Sequence, residues 1–318
     1  MRTALKAWIF SATAFLVPVF LAQGMLAADA SARTLMVGAD QQYKSPSAAV
    51  AAAQDGDRVS IAPGEYFDCT AIRQNNLVIE GTGPGVVLTD KSCAGKALLI
   101  TDGNDITIRN LTLQRARVAD GNGAGIRAEG GNLRIEKVRF INNQNGILAA
   151  DNPNATIEIH DSEFIGNGSC AQGCAHAIYV GVIKRLLVDH TRVFATKEGH
   201  GIKSRALRTE VTDSVIADGP DGTSSYSINI PNGGATVITG NKIEKGPNSG
   251  NYANTVSIGE EGVDRPTSEI TITDNHLTND EGDRSTTFIK NLTATPAVLK
   301  GNTYSGQVRP LVGDGSQR

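Results

Sequence analysis

Eight times after Thr101 the sequence alternates apolar and polar residues, turns a corner on Asn, Asp, His or Gly, and resumes the alternation. The copies read ITIRNLTL, LRIEKVRF, IEIHDSEF, LLVDHTRV, TEVTDSVI, TVITGNKI, ITITDNHL and AVLKGNTY, ending on Leu113, Phe140, Phe164, Val193, Ile216, Ile243, Leu277 and Tyr304. From Leu113 to Tyr304 there are seven intervals over 191 residues, a mean of about 27, which falls in the range of solenoid repeats. Alternation of period two on both sides of a corner means two short strands meeting at a bend, each with one buried face.

A third short strand fits upstream of each corner: GIRAE, GILAA, AIYVG, GIKSR, SINIP and TVSIG. Three strands per coil of about 27 residues, stacked in parallel, predict an all-β right-handed parallel β-helix. No single coil could bury its own apolar face, so each depends on its neighbours. A β-propeller needs longer strands and about 40 residues per blade, so it fits less well. The segment Lys44–Asp57 (KSPSAAVAAAQDGD) reads as a short amphipathic helix that covers the open N-terminal end of the stack.

Composition agrees with many short strands. The 318 residues contain 35 Gly, and only 5% are aromatic, which suits tight turns better than packed helices. A net charge of −3 argues against a nucleic-acid partner. Residues 1–30 follow the plan of a secretory signal: Arg2 and Lys6 form a basic start, Ala7–Ala22 an apolar core, and small residues allow cleavage after Ala28 or Ala30. The expectation is one domain over residues 31–318, monomeric, secreted or periplasmic, with no stable membrane insertion after cleavage. No other stretch is apolar enough to span a bilayer.

Export would place Cys69, Cys93, Cys170 and Cys174 in an oxidising compartment, where pairing is the default. Cys69–Cys93, one repeat apart, plus Cys170–Cys174 across the loop SCAQGC is the simplest arrangement. A zinc site using His176 is the alternative, against an irregular ligand spacing.

The helix followed by GDRVSIAPGEY and LVIEGTGPGVVL resembles the opening of the pectate-lyase-like, single-stranded right-handed β-helix superfamily, and the resemblance extends over residues 34–310. It implies this fold and a polysaccharide groove on one sheet. Two departures bear on activity. Alginate C5-epimerases of similar fold carry Asp-Pro-His-Asp, whereas the nearest stretch here, Asp151-Asn152-Pro153-Asn154, lacks the histidine. No dense aspartate cluster resembles the calcium site of pectate lyases, so no cofactor is indicated, although Ca2+ remains compatible. The sequons at Asn110, Asn154, Asn167 and Asn291 matter only in a eukaryotic secretory pathway.

Fold does not give function, so the site is argued from residues. Aligning the third strands on Ile126, Ile147, Ile178, Ile202, Ile228 and Val256 turns Arg127, Leu148, Tyr179, Lys203, Asn229 and Ser257 outward. Two residues on, Glu129, Ala150, Gly181, Arg205, Pro231 and Gly259 also face out. With coils about 4.8 Å apart, Tyr179 and Lys203 become neighbours, and His176 and His200 match at the strand entrances. Small residues Ala150, Gly181 and Ser204 leave room for a chain.

A cationic patch on a mildly acidic protein predicts an anionic polysaccharide partner, and a uronic-acid polymer fits. The chemistry is β-elimination: Arg205 neutralises a carboxylate, Lys203 removes the C5 proton, and Tyr179 or His200 protonates the leaving oxygen. Arg127, His176, Tyr226, Asn229 and Glu260 are substrate-binding candidates. Hydrolysis or uronate C5-epimerisation on the same groove is the second enzymatic expectation, and hydrolysis would pair Glu260 or Glu261 with Asp221 or Glu129. A non-catalytic binding or export-assisting β-helix is the alternative outside enzymes. His160 and His190 read as structural, and Asn110, Asp161, Asp213 and Asp274 as turn formers.

Overall fold

A computed structural model describes residues 31–317 together with Met1 and Ala4. The expected secretory signal lies outside the described residues. Residues Ala32–Arg318 form one compact unit. It is a right-handed parallel β-helix built from three parallel sheets of twelve, ten and ten strands.

The twelve-stranded sheet opens with Thr34–Val37 and closes with Gly315–Gln317. One ten-stranded sheet carries the second half of each sequence repeat. Its register runs through Leu113, Phe140, Phe164, Val193, Ile216, Ile243, Leu277 and Tyr304, the repeat's own terminal residues. The other carries the third strands, aligned through Ile126, Ile147, Ile178, Ile202, Ile228 and Val256. Almost every residue in these two files is fully buried, so each coil's apolar side chains stack on their equivalents, as Phe140 does on Phe164 with centroids 4.4 Å apart.

The corners follow from backbone chemistry. Asn110, Asp161, Asp213 and Asp274 all have positive φ, between 45° and 57°, as does His190 at 47°. Asn and Asp tolerate that region best among side-chain-bearing residues. Beside this corner, side chains that are buried except at Asn302 continue the hydrogen bonding along the stack. Ser162, Thr191, Ser214, Asn241, Asn275 and Asn302 each accept a backbone N–H from the preceding coil.

The helix is Pro46–Ala52, shorter than the expected 44–57. Ser45 caps its start by accepting from Ala48 N, and the chain turns extended at Ala53. Gln74 Nε2 donates to the carbonyls of Val50 and Ala53, so a side chain from the first coil ties down the end of the helix. Cys69–Cys93 and Cys170–Cys174 are both disulfide-bonded, the arrangement expected as simplest; the zinc alternative is excluded by these bonds.

The outer face of the twelve-stranded sheet is an alternating ion ladder. Glu80 binds Arg58 and Arg109, Glu158 binds Arg134 and Arg185, and Arg208 bridges Glu210 and Glu269. Arg134 and Glu158, which line a depression on that side, are therefore committed to each other.

Candidate functional site

On the third-strand sheet, two cations only two residues apart, Lys203 and Arg205, converge on one carboxylate. Tyr179, Lys203 and Asn229 lie in register on successive coils. Because Ile202 and Ser204 point into the core, Lys203 and Arg205 must point out. Ser204 is buried and bonded to Thr209, so it does not line the groove as expected.

Glu261, two coils further along, reaches back over this pair. Its carboxylate meets Lys203 Nζ at 2.8 Å and Arg205 Nη2 at 2.5 Å. Arg205 Nε also donates to Tyr179 Oη at 3.0 Å, and its other amine donates to Asn232. The Lys203 and Arg205 side chains are 13% and 21% exposed, whereas Glu261 is 40% exposed and lies uppermost. Burial alone would raise the Glu261 carboxyl, but the two cations outweigh it and hold it below the usual carboxylate range.

Glu260 turns the other way. Asn229 Nδ2 and Ser257 Oγ donate to its two oxygens, both at 2.7 Å. Burial and the hydrogen bond to Glu260 push the Tyr226 phenol up to about 12. Neither glutamate takes the expected partner. Asp221 and Glu129 lie on other coils, and Glu129 is held by Lys96 at 2.7 Å. Both glutamates sit between Gly259 and Gly262, whose φ of 87° and 98° turn the chain sharply enough to send adjacent side chains apart.

His176 and His200 stack at the strand entrances with centroids 4.7 Å apart. Nδ1 of His176 accepts from His200 N at 2.9 Å, and Nδ1 of His200 accepts from Tyr226 N at 3.3 Å. Asn145 does the same for His176 N one coil earlier. An Nδ1 that accepts a backbone N–H has no proton, so the neutral ring carries it on Nε2. Burial, reinforced by the neighbouring His200, lowers His176 to about 2; burial and Lys203 lower His200 to about 3. His176 is 3% exposed and sits behind His200. Gly199 makes the stack possible: a Cβ there would lie 2.0 Å from the Ala175 carbonyl and 2.8 Å from His176 Nδ1.

The remaining candidates are distributed unevenly. Arg127 is in the same outward file but separated from Tyr179 by Leu148, and it pairs with Glu129 at 3.2 Å. Asn229 is fully buried and acts on the surface through Glu260. Tyr226 packs against His200 with centroids 5.1 Å apart. Lys245, which sequence reasoning passed over, is completely buried beneath this region and donates to the Ser225 carbonyl at 2.6 Å. Its signal was visible: it lies two residues after Ile243 and so shares the inward parity.

At the other corner, His160 and His190 both contact Asp189, which also accepts from Thr212. Asp189, His190 and Asp213 bring donor atoms within 4.8 Å of one another.

No protein-family model and no curated protein matches the sequence. Among solved structures, the chain is similar to an alginate lyase from Paenibacillus sp. str. FPU-7, with a TM-score of 0.56 and 18% identity over 89% of this chain and 99% of that one. It is also similar to tailspike protein gp49 from Acinetobacter baumannii bacteriophage Fri1, a capsular polysaccharide depolymerase, with a TM-score of 0.50 and 10% identity. That match covers 87% of this chain and 62% of the tailspike. At such identities the likeness is one of fold, the right-handed parallel β-helix.

Proposed function

We propose that this protein is an exported enzyme acting on a uronic-acid-containing polysaccharide, which it cleaves as a lyase. One observation carries the reading: Lys203 and Arg205, two cations sharing a single carboxylate, lie beside the Tyr179 hydroxyl on one outward face. In the ion ladder, the arginines that share Glu80 or Glu158 come from different coils and are 31% to 48% exposed, more open than Lys203 and Arg205. The two disulfides support an oxidising destination, periplasmic or extracellular. The fold it shares with an alginate lyase and a capsular depolymerase supports a polysaccharide substrate.

The proton beside a uronate carboxylate is acidic only when that carboxylate is neutralised. Arg205 presents a planar fork for this task. With Glu261 displaced, Lys203 gives up its ammonium proton to water. The neutral amine then takes the C5 proton, the C4–C5 double bond forms as the C4–O bond breaks, and Tyr179 gives a proton to the departing oxygen. Tyr179 Oη accepts from Arg205 Nε, so its own proton stays free to be given. Neutral His200, its Nδ1 occupied by Tyr226 N, offers Nε2–H as a hydrogen-bond donor rather than a base. Hydrolysis is less favoured because Glu261 is tied to two cations, leaving Glu260 without a second free carboxylate.

The test is a panel of alginate, polygalacturonate, hyaluronan and bacterial capsular polysaccharides, followed by ultraviolet absorbance of unsaturated ends and by reducing-end release. Absorbance rising with chain scission is expected. Reducing ends without absorbance would replace the lyase with a hydrolase, and binding without either product would make this a binding module.

A further inference from the structure

Glu261 presents to Lys203 and Arg205 the same group that a uronate residue would present. We propose that Glu261 is a tethered stand-in for the substrate carboxylate: it occupies the Lys203–Arg205 subsite at rest and must swing out before a uronate can enter. This rests on the polysaccharide reading above and adds a specificity device to it.

The geometry supports release of the side chain without movement of the backbone. Glu261 N donates to the Pro231 carbonyl at 2.9 Å, and Asn232 Nδ2 donates to the Gly262 carbonyl at 3.2 Å, so the turn is tied down on both sides of Cα. Among the described residues, the carboxylate itself is held only by the two cations. It is also the most exposed of the three groups, covering cations that are largely enclosed. Rotation about its side-chain bonds would therefore open the subsite to the groove and leave the loop in place.

Two consequences follow for specificity. A tethered group competes at an effective concentration on the order of millimolar or above. An isolated carboxylate at lower concentration loses that competition, whereas a chain held at neighbouring positions wins it. A neutral sugar has nothing to exchange for Glu261 and gains no entry. The resident carboxylate thus selects for uronates within longer chains.

The experiment compares wild type, Glu261→Gln and Glu261→Ala by calorimetric titration with free glucuronate, with oligouronates of the polymer found active, and with neutral cello-oligosaccharides. Thermal melting is read alongside to show that each variant is folded. Affinity for glucuronate and for oligouronates should rise by about tenfold in both variants, as expected when a competitor at about ten times its own dissociation constant is removed. Neutral oligosaccharides should gain nothing. Unchanged or weaker uronate binding, with or without a lower melting temperature, would make Glu261 a structural strut and overturn the proposal. An equal gain for neutral sugars would make it a steric obstruction and also overturn it. Wild-type binding or cleavage of a uronate polymer with no gain in the variants would sink this inference alone. If no uronate binds any of the three proteins, the functional reading falls and takes this inference with it.

Discussion

The backbone N–H of His200 donates a 2.9 Å hydrogen bond to Nδ1 of His176, its equivalent one coil earlier. That bond exists only while His176 is neutral, so the stack sets a pH limit on the fold. Both rings have folded pKa values, about 2 and about 3, below the ordinary 6.5. Between these limits the unfolded chain carries protons that the folded chain does not. Stability is therefore complete above about pH 6.5 and declines as pH falls, by up to about 1.4 kcal/mol per pH unit for each ring. Carboxylates such as Asp57, held at about 2 chiefly by Arg33, add their own loss only below about pH 4. His176→Asn copies the acceptor that Asn145 already provides. It should lose the aromatic stack, worth about 1 kcal/mol, yet decline less steeply from pH 6.5 to 4.5. Urea midpoints at both pH values decide this, and parallel losses in the two proteins would refute it.

The asparagine ladder carries a different kind of energy. Asn275 Oδ1 accepts from both N and Nδ2 of Asn241, while its own Nδ2 donates to the Ile238 carbonyl. Asn275→Ala removes four side-chain hydrogen bonds from the row, the fourth being to Asn302 Oδ1, and a loss of about 3 kcal/mol or more is expected. Asn248→Ala removes one exposed bond to the Pro220 carbonyl and should change stability by less than about 0.5 kcal/mol. Chemical denaturation of the two variants checks the contrast, and similar midpoints would mean that the ladder adds little.

These two cases show what was legible in the sequence. The register of two sheets could be read directly, because side-chain parity and coil length fix which residues stack: Leu113 to Tyr304 and Ile126 to Val256 pair as their spacing demands. Parity also identified Tyr179, Lys203 and Arg205 as neighbours. It could not place Glu261, because a loop side chain spanning two coils is governed by the glycines around it rather than by strand alternation. The patch was therefore expected to be more cationic than it is. Nor could parity decide how the histidines are used, since a buried acceptor and a catalytic base occupy the same entrance position.

Lys245 makes the cost of a buried charge measurable. Burial lowers its pKa to about 8, while Asp218 and Glu281 oppose that shift. Lys245→Met would leave the Ser225 carbonyl without its donor and remove a cation facing Asp218 and Glu281, although Glu281 keeps Arg284, and a loss of about 1–3 kcal/mol at neutral pH is expected. Burial raises the Glu281 carboxyl, so mild acid should neutralise it and shrink the penalty. Denaturation at pH 7.5 and 5.5 separates this from a packing defect, which would cost the same at both. Loss of the Ser225 contact should also disturb Tyr226, the next residue, and hence the NMR signals of His200.

The strongest demand on the proposed chemistry falls on Arg205. It contacts Tyr179, Asn232 and Glu261 from one planar group, a set that a point charge cannot reproduce. If Arg205 neutralises the uronate carboxylate as charge develops at C5, Arg205→Ala should lower kcat/KM by about 10²–10³-fold, mainly through kcat. Arg205→Lys keeps the charge but not the fork, and should recover only part of that loss. Lys203→Ala should abolish elimination more completely than binding, since a base acts on the proton and not on the chain's affinity. Steady-state kinetics on the active polymer read all three variants, with melting temperatures confirming that each is folded. Wild-type kcat in both Arg205→Ala and Lys203→Ala would move the chemistry away from this file of residues. A rise in KM alone would keep the groove and remove the catalytic roles.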